Sequence, residues 1–284
     1  DWFMIEDSYG RHIGGDIYDA EDFRLDNVYI LSLPEGNRND SIEIPPEIGL
    51  LKNLKIFQLY HHEDLSELPD TIANLQNLET LEIYNCSMSA AGLAPVASLS
   101  NLKKLLLCSA FDDSFTFADF PAGIWQLPNL ETLIMEDNAV EGGDEVGNNG
   151  RISLDFELAG YFNLNNLKTL SLKHNGLSRI PSSVYKCRSL IGLDLRNNAI
   201  EHIDDDIAQL QSLRSLNLDA NALYTINDKI GKLGNLQILT CSDNRIEYLP
   251  RSLANLQNLL TLDLQQNGNL FGKRNTPEFE TYLR

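Results

Sequence analysis

His61-His62-Glu63-Asp64 puts four metal-ligating side-chain types in a row. Neighbours on an extended backbone point to opposite faces, so the two imidazoles cannot close on one ion and no metal site is assigned to them. The segment 141–150 (Glu-Gly-Gly-Asp-Glu-Val-Gly-Asn-Asn-Gly) supplies oxygens from Asp144, Glu145 and Asn148. It has neither the spacing of an EF-hand nor a repeated Gly-Asp nonapeptide, so a loop tip is the better reading than a calcium loop. Asp204-Asp205-Asp206 reads as a solvated acidic patch. Cys86, Cys187 and Cys241 stand where an apolar residue or an Asn is otherwise expected, and act as small buried groups rather than a disulfide framework. Cys108 points outward and would need a nearby activating His to serve as a nucleophile. Walker loops, nucleophile elbows and dinucleotide fingerprints are missing from the sequence. No catalytic residue, metal ligand or cofactor is therefore assigned, and the chain is read as a non-enzyme.

The side chains above sit on a repeat. Leu210-x-x-Leu213-x-x-Leu216-x-Leu218-x-x-Asn221-x-Leu223 states it most clearly, and its leading position recurs at Leu164, Cys187, Leu210, Leu233 and Leu256, in steps of 23. Less regular steps lead back through Leu127, Leu99, Leu75, Leu51 and Leu25, giving ten units. A period of this length means a solenoid. Leu216 and Leu218 alternate with Ser215, Asn217 and Asp219, the period-two pattern of a strand with one buried face. Asn138, Asn175, Asn198, Asn221, Asn244 and Asn267 fall at one place after the strand, where an amide can satisfy backbone groups of adjacent coils. Segments such as Leu68-Pro69-Asp-Thr-Ile72-Ala-Asn-Leu75 predict single helical or 3₁₀ turns on the convex side, started by Pro69, Pro181 and Pro250.

These residues resemble the leucine-rich repeat family, L-x-x-L-x-L-x-x-N/C-x-L, over roughly residues 25 to 270. The Leu-Pro-x-x-Ile turns resemble its bacterial and Ras-group-like subclass. The resemblance implies an α/β horseshoe with a parallel concave sheet and a scaffold or recognition role. His62, Cys86 and Ala110 depart from the Asn column, so a weaker ladder is expected in the first half. The expected organisation is an N-terminal cap at 1–24, a solenoid at 25–267 and a C-terminal cap at 268–284. Trp2, Phe3, Ile5 and Phe23 would pack in the first cap, and Phe271, Phe279, Tyr282 and Leu283 in the second. Two enlarged units hold Phe111, Phe115, Phe117 and Phe120, read as convex packing, and the Gly-rich loop.

Net charge is −19, from 41 acidic and 22 basic residues. Residues 1–47 alone carry twelve Asp or Glu against three Arg. Nucleic acids and anionic membrane surfaces need a basic footprint, so neither is expected as a partner, whereas a basic or mixed-charge protein is. The apolar runs are far shorter than the ~20 residues of a membrane span, so no membrane insertion is expected. The chain opens on Asp1 without a basic-plus-apolar leader, which fits a cytoplasmic protein or an exported bacterial one with its leader removed. A monomer is expected.

Two outward columns define the candidate partner surface. One runs Tyr60, Tyr84, Cys108, Glu136, Lys173, Arg196, Asp219; the other includes Leu106, Ile134 and Asp194. Tyr60, Tyr84, Leu106 and Ile134 form an aromatic and aliphatic patch beside the charges of Glu136, Lys173, Asp194, Arg196 and Asp219. Tyr84 and Arg196 are the residue types that dominate interfaces, and contiguous apolar groups on a wet sheet call for a covering partner. The charges have an equal alternative in pairing across adjacent strands. A protein partner on the concave face is the leading expectation. A glycan or cell-surface ligand using Tyr60, Tyr84 and His61, or the recognition part of a larger effector enzyme, are the alternatives.

Overall fold

A computed structural model describes residues 3–7, 12–15, 28–33, 43–112, 120–138, 163–268 and 270. The chain divides into two compact units, residues 1–140 with 160–167, and residues 141–159 with 168–284. In the first unit β1 (Phe3–Asp7) and β2 (His12–Gly15) form an antiparallel pair, and β1 also runs antiparallel to β3 (Val28–Leu33). From β3 onward every neighbour is parallel: β4 (Ile56–His62), β5 (Thr80–Cys86), β6 (Lys104–Cys108) and β7 (Thr132–Glu136). Register places Leu31, Phe57, Leu81, Leu105 and Leu133 side by side, so one sequence column becomes one buried row. The second unit holds β8 (Thr169–Ser171), β9 (Gly192–Asp194), β10 (Ser215–Asn217), β11 (Ile238–Thr240) and β12 (Thr261–Asp263), all parallel, with Leu170, Leu193, Leu216, Leu239 and Leu262 aligned. These ten parallel strands are the ten units of the sequence.

Most of the described coils return through a 3₁₀ turn. Asp70–Asn74, Asp205–Gln209, Asp228–Lys232 and Arg251–Asn255 are each five residues long. So short a segment gains little from four-residue spacing, and the opening Leu closes it by donating three residues back, as Leu75 N–H does to the Ile72 carbonyl at 2.9 Å. Pro69 and Pro250 cap their turns in extended conformation, where no amide is needed. Pro181 lies ahead of a turn capped by Ser183 and, like Pro69 and Pro250, offers its carbonyl three residues on, to Val184 N–H at 2.9 Å. Ile72, Leu75, Leu78, Leu81 and Ile83, the apolar residues of one coil, are all fully buried. At about 1.5–3 kcal/mol per buried aliphatic side chain, this stacked column is the main source of cohesion.

The asparagine column forms the expected ladder. Asn221 accepts Ile200 N–H at 3.0 Å and donates to the carbonyls of Leu195 at 3.0 Å and Leu218 at 3.1 Å. Asn244 repeats the pattern with Leu223 N–H and the Leu218 and Cys241 carbonyls, and Asn267 with Ile246 N–H and the Cys241 and Leu264 carbonyls. In the first unit Asn138 does the same for Ala110 N–H and the Leu107 carbonyl. Where His62, Cys86 and Ala110 interrupt the column, no side-chain rung is described and the backbone bonds between coils remain. Here β4 and β5 run for seven residues, pairing His62 with Cys86, and Cys86 N–H reaches the Ser109 carbonyl at 3.1 Å.

The strands of the second unit are all three residues long, including β8 and β11 with Ser171 and Thr240 in the outward column. In the second unit Asp194, Asn217 and Asp263 each accept the amide two residues on, from Arg196, Asp219 and Gln265. That local bond holds the amide on its own coil. Gln58, Glu82, Leu106 and Ile134 hold the same column in the first unit, where strands run five to seven. The last residue before each Asn position is left-handed: His61, Asn85, Ser109, Asp137, His174, Asn197, Ala220, Asp243 and Gln266 all have φ between 46° and 59°.

In the aromatic insert Phe111 meets Phe120 edge-on at 6.2 Å, and Phe120 packs on Trp125 at 4.6 Å, which supports the packing reading. Phe115, Phe117, the 141–150 loop, the side chains of Trp2, Phe3, Ile5 and Phe23, and Phe271, Phe279, Tyr282 and Leu283 lie outside the described residues or side chains.

Candidate functional site

On the open face of the first unit, Tyr60 and Tyr84 are adjacent in register because strands four and five are paired. Their rings stack at 5.1 Å between centroids with 21° between planes, close to the ~4.8 Å strand spacing. Beneath them lies Glu82, only 9% exposed. Its Oε2 accepts from the Tyr60 hydroxyl at 2.7 Å and from Gln58 Nε2 at 3.0 Å, and its Oε1 pairs with Lys104 Nζ at 3.3 Å. The carboxylate thereby fixes the base of the aromatic pair. Burial first, then the bond to Glu82 and its charge, raises the Tyr60 phenol well above its usual range. Burial also pushes Tyr84 up to about 12, helped by the fields of Cys108, Glu82 and Glu136. Both phenols stay protonated at neutral pH and can donate.

Leu106 occupies its outward position but is only 4% exposed, so it serves as floor rather than contact surface. Its register neighbours Glu82 and Ile134 flank it, and long side chains beside a short column seal it. Ile134 and Glu136 are half-buried. Cys108 is half-buried, with its thiol pushed up to about 11 by burial and then by the Glu136 charge, the opposite of an activated nucleophile. Among the described residues no group of three or more His, Cys, Asp or Glu could hold a metal ion. The two neighbouring histidines part as expected: His61 is exposed with Nδ1 2.9 Å from Asn85 Nδ2, and His62 is buried.

On the second unit's open face the charges are tied locally. Arg196, just past the strand, pairs with Asp194 of the same coil at 2.8 Å, and Asp194 also accepts Arg196 N–H at 3.1 Å. Asp219 accepts Ser242 N–H from the next coil at 2.7 Å. For Asp194, Arg196 and Asp219 the described bonds are thus a local ion pair and carboxylate-to-backbone bonds. Lys173 is half-buried and the Arg196 side chain is exposed.

The leucine rich repeat family matches residues 165–223 and 211–268, the stretch in which the Asn ladder is unbroken. Residues 165–268 are thus leucine-rich repeats, and the described strands before them continue the same fold. A leucine-rich repeat protein of Leptospira interrogans is 29% identical over 85% of this chain and 55% of its own length, with a TM-score of 0.69. An internalin of Listeria monocytogenes is 22% identical over 84% of this chain and 62% of its own, TM-score 0.60. Internalin C2 of the same organism is 20% identical over 85% and 82%, TM-score 0.54. The internalins share the fold. This chain spans little more than half the length of the Leptospira protein and about three-fifths of the first internalin. No match was found among curated proteins.

Two features of this chain were missed in its sequence. A second asparagine row follows each opening Leu by two residues: Asn77, Asn101 and Asn129 donate to Lys52, Gln76 and Ser100 carbonyls, and Asn235 and Asn258 to those of Gln211 and Gly234. Its signal is the recurring Asn-Leu dipeptide, with Ser189 and Ser212 as gaps. The other is an exposed cluster in the second unit, where Arg245 donates to the Tyr224 hydroxyl at 3.1 Å and Tyr248 stands 63% exposed.

Proposed function

We propose that this chain is a non-enzymatic recognition module that holds a protein partner against the open face of its sheet, in keeping with the protein–protein interaction that leucine-rich repeat folds generally serve. The observation that carries the reading is the stacked, half-exposed Tyr60–Tyr84 pair, braced by buried Glu82 and bordered by Ile134. A rigid aromatic pair offers large contact area with little side-chain entropy left to lose, which is the character of an interface anchor. Glu136 borders the same patch; Lys173, Asp194, Arg196 and Asp219 supply the polar part on the second unit's face.

The test is capture from the native source with the chain as bait, followed by Tyr84→Ala combined with Arg196→Glu. Partner capture is expected to be lost while thermal unfolding stays nearly unchanged, since both side chains reach the surface. A partner held at parental affinity by that variant overturns the site.

A further inference from the structure

Strands β3 to β6 share one side-chain hydrogen-bond network on the open face, and every hydrogen in it runs toward Glu82. Lys104 Nζ meets Glu82 Oε1 at 3.3 Å, and an ammonium can only donate. Gln58 turns its amide nitrogen to Glu82 Oε2 at 3.0 Å, because its carbonyl oxygen accepts from the Ser32 hydroxyl on the strand before. Tyr60 brings its hydroxyl to the same Oε2 at 2.7 Å. A carboxylate that receives three donors has no hydrogen to return, so the single phenolic hydrogen of Tyr60 points inward.

That settles what Tyr60 can show to another molecule. Its ring is stacked on Tyr84, its hydrogen is held by Glu82, and only oxygen lone pairs are left. The side chain is half-buried, so part of it still reaches the surface. A hydroxyl that donates to a charged acceptor becomes a better acceptor itself. A donor from a partner is therefore favoured, whereas a carbonyl or carboxylate there would face a second oxygen with no hydrogen between them.

We propose that Glu82 is a positioning residue that turns Tyr60 into a hydrogen-bond acceptor, so that a protein partner must bring a donor group to the phenol oxygen. This rests on the recognition role proposed above and names the polarity of its contact.

An isosteric change reverses that polarity. In Glu82→Gln, Lys104 holds the new carbonyl oxygen, which turns the new amide nitrogen toward Tyr60 and sends the phenolic hydrogen outward. The experiment selects phage-displayed random dodecapeptides on the full chain, keeps those that Tyr84→Ala no longer binds, and measures the synthetic peptides by fluorescence anisotropy. Tyr60→Phe keeps the ring and removes the oxygen, and should weaken the tightest peptide about five-fold. Glu82→Gln should weaken it at least as much. Added to Tyr60→Phe, however, Glu82→Gln should cost less than about two-fold more, because no phenolic hydrogen remains to be turned. A general structural or electrostatic role for Glu82 would show its full loss there as well. Tyrosine ring NMR gives a second readout that needs no peptide. In the native chain burial, then the Glu82 bond and charge, hold the Tyr60 phenol up, and in Glu82→Gln it should ionise at lower pH. Circular dichroism melts check that each variant folds. A tightest peptide untouched by Tyr60→Phe, an undiminished Glu82→Gln effect beside Tyr60→Phe, or an unmoved Tyr60 titration overturns the polarity assignment and leaves the recognition role standing. A selection with no peptide sensitive to Tyr84→Ala overturns the recognition face, and this assignment with it.

Discussion

Asn244→Ala is a test of whether the buried asparagine ladder holds adjacent coils together by sharing carbonyls. In the native protein Asn244 accepts Leu223 N–H at 2.9 Å and donates to the carbonyls of Leu218 at 2.9 Å, Cys241 at 3.2 Å and Ser242 at 3.0 Å. Removing the amide does not orphan all of these. The Leu218 carbonyl still receives Asn221 Nδ2 at 3.1 Å, and the Cys241 carbonyl still receives Asn267 Nδ2 at 2.8 Å. The Leu223 amide alone loses its only described acceptor, and Leu223 is fully buried. One orphaned buried N–H costs about 1–3 kcal/mol, and the weakened carbonyls add somewhat less than 1 kcal/mol each, so a loss of about 2–4 kcal/mol is expected. Asn258→Ala is the control: it removes one bond, to the Gly234 carbonyl, where both residues meet solvent, and about 0.5 kcal/mol or less should be lost. Asn221→Ala combined with Asn244→Ala strips both donors from the Leu218 carbonyl. The pair should therefore be worse than the sum of the single changes by about 1 kcal/mol or more. Urea denaturation gives the energies, and hydrogen exchange at the Leu223 amide should accelerate in Asn244→Ala. Additive behaviour, or equal losses at Asn244 and Asn258, would refute the shared-carbonyl reasoning.

Ala220→Gly should stabilise the chain by about 0.5–1 kcal/mol, read from the urea midpoint, because alanine at φ 51° carries a steric penalty that glycine avoids and only part of the gain is lost to the more flexible unfolded chain. Gly231→Ala should destabilise it by about 2 kcal/mol or more, since a Cβ there would lie 2.4 Å from the Ser252 carbonyl oxygen and 2.6 Å from its Cβ; an unchanged melting temperature would mean that the two turns separate freely. His62 is 4% exposed and neither ring nitrogen has a partner among the described residues. Burial, and then the nearby His61, holds its pKa below the usual 6.5. Below that value the unfolded chain binds the proton that the folded one refuses, so stability is fully present above about pH 6.5 and falls as pH drops beneath it. His62→Asn should flatten the urea midpoint between about pH 7 and 5, and an identical slope in both proteins would exclude His62 as the source.

The repeat was legible because burial imposes it: Leu213, Leu216, Leu218 and Leu223 all turn inward, and the spacing alone says so. The ladder was legible for the same reason, since Asn198, Asn221, Asn244 and Asn267 recur at a place where only an amide can both give and accept. What the sequence concealed depends on who is adjacent in space. Leu106 was placed on the correct face, yet its exposure is decided by Glu82 and Ile134 on other strands. The left-handed residues are as unlike as Ala220, His61 and Gln266, so no residue type announces the conformation; the turn into the next Asn imposes it. The expectation of a weaker first half treated His62 and Cys86 as lost side-chain bonds. At those positions the backbone keeps the bond it makes elsewhere, Cys86 N–H to the Ser109 carbonyl as Asn198 N–H to that of Ala220, so only the side-chain rungs are missing.

Because β1 meets β3 head to tail, the run of like-directed strands ends there. A duplicated 23- or 24-residue segment spliced between β3 and β7 would present the same amides and the same apolar row to both neighbours. The same segment placed beyond β2 would find neither. Lengthening of this protein by internal duplication is thus confined to the ground after the reversal, and the hairpin acts as a fixed origin from which such growth is counted.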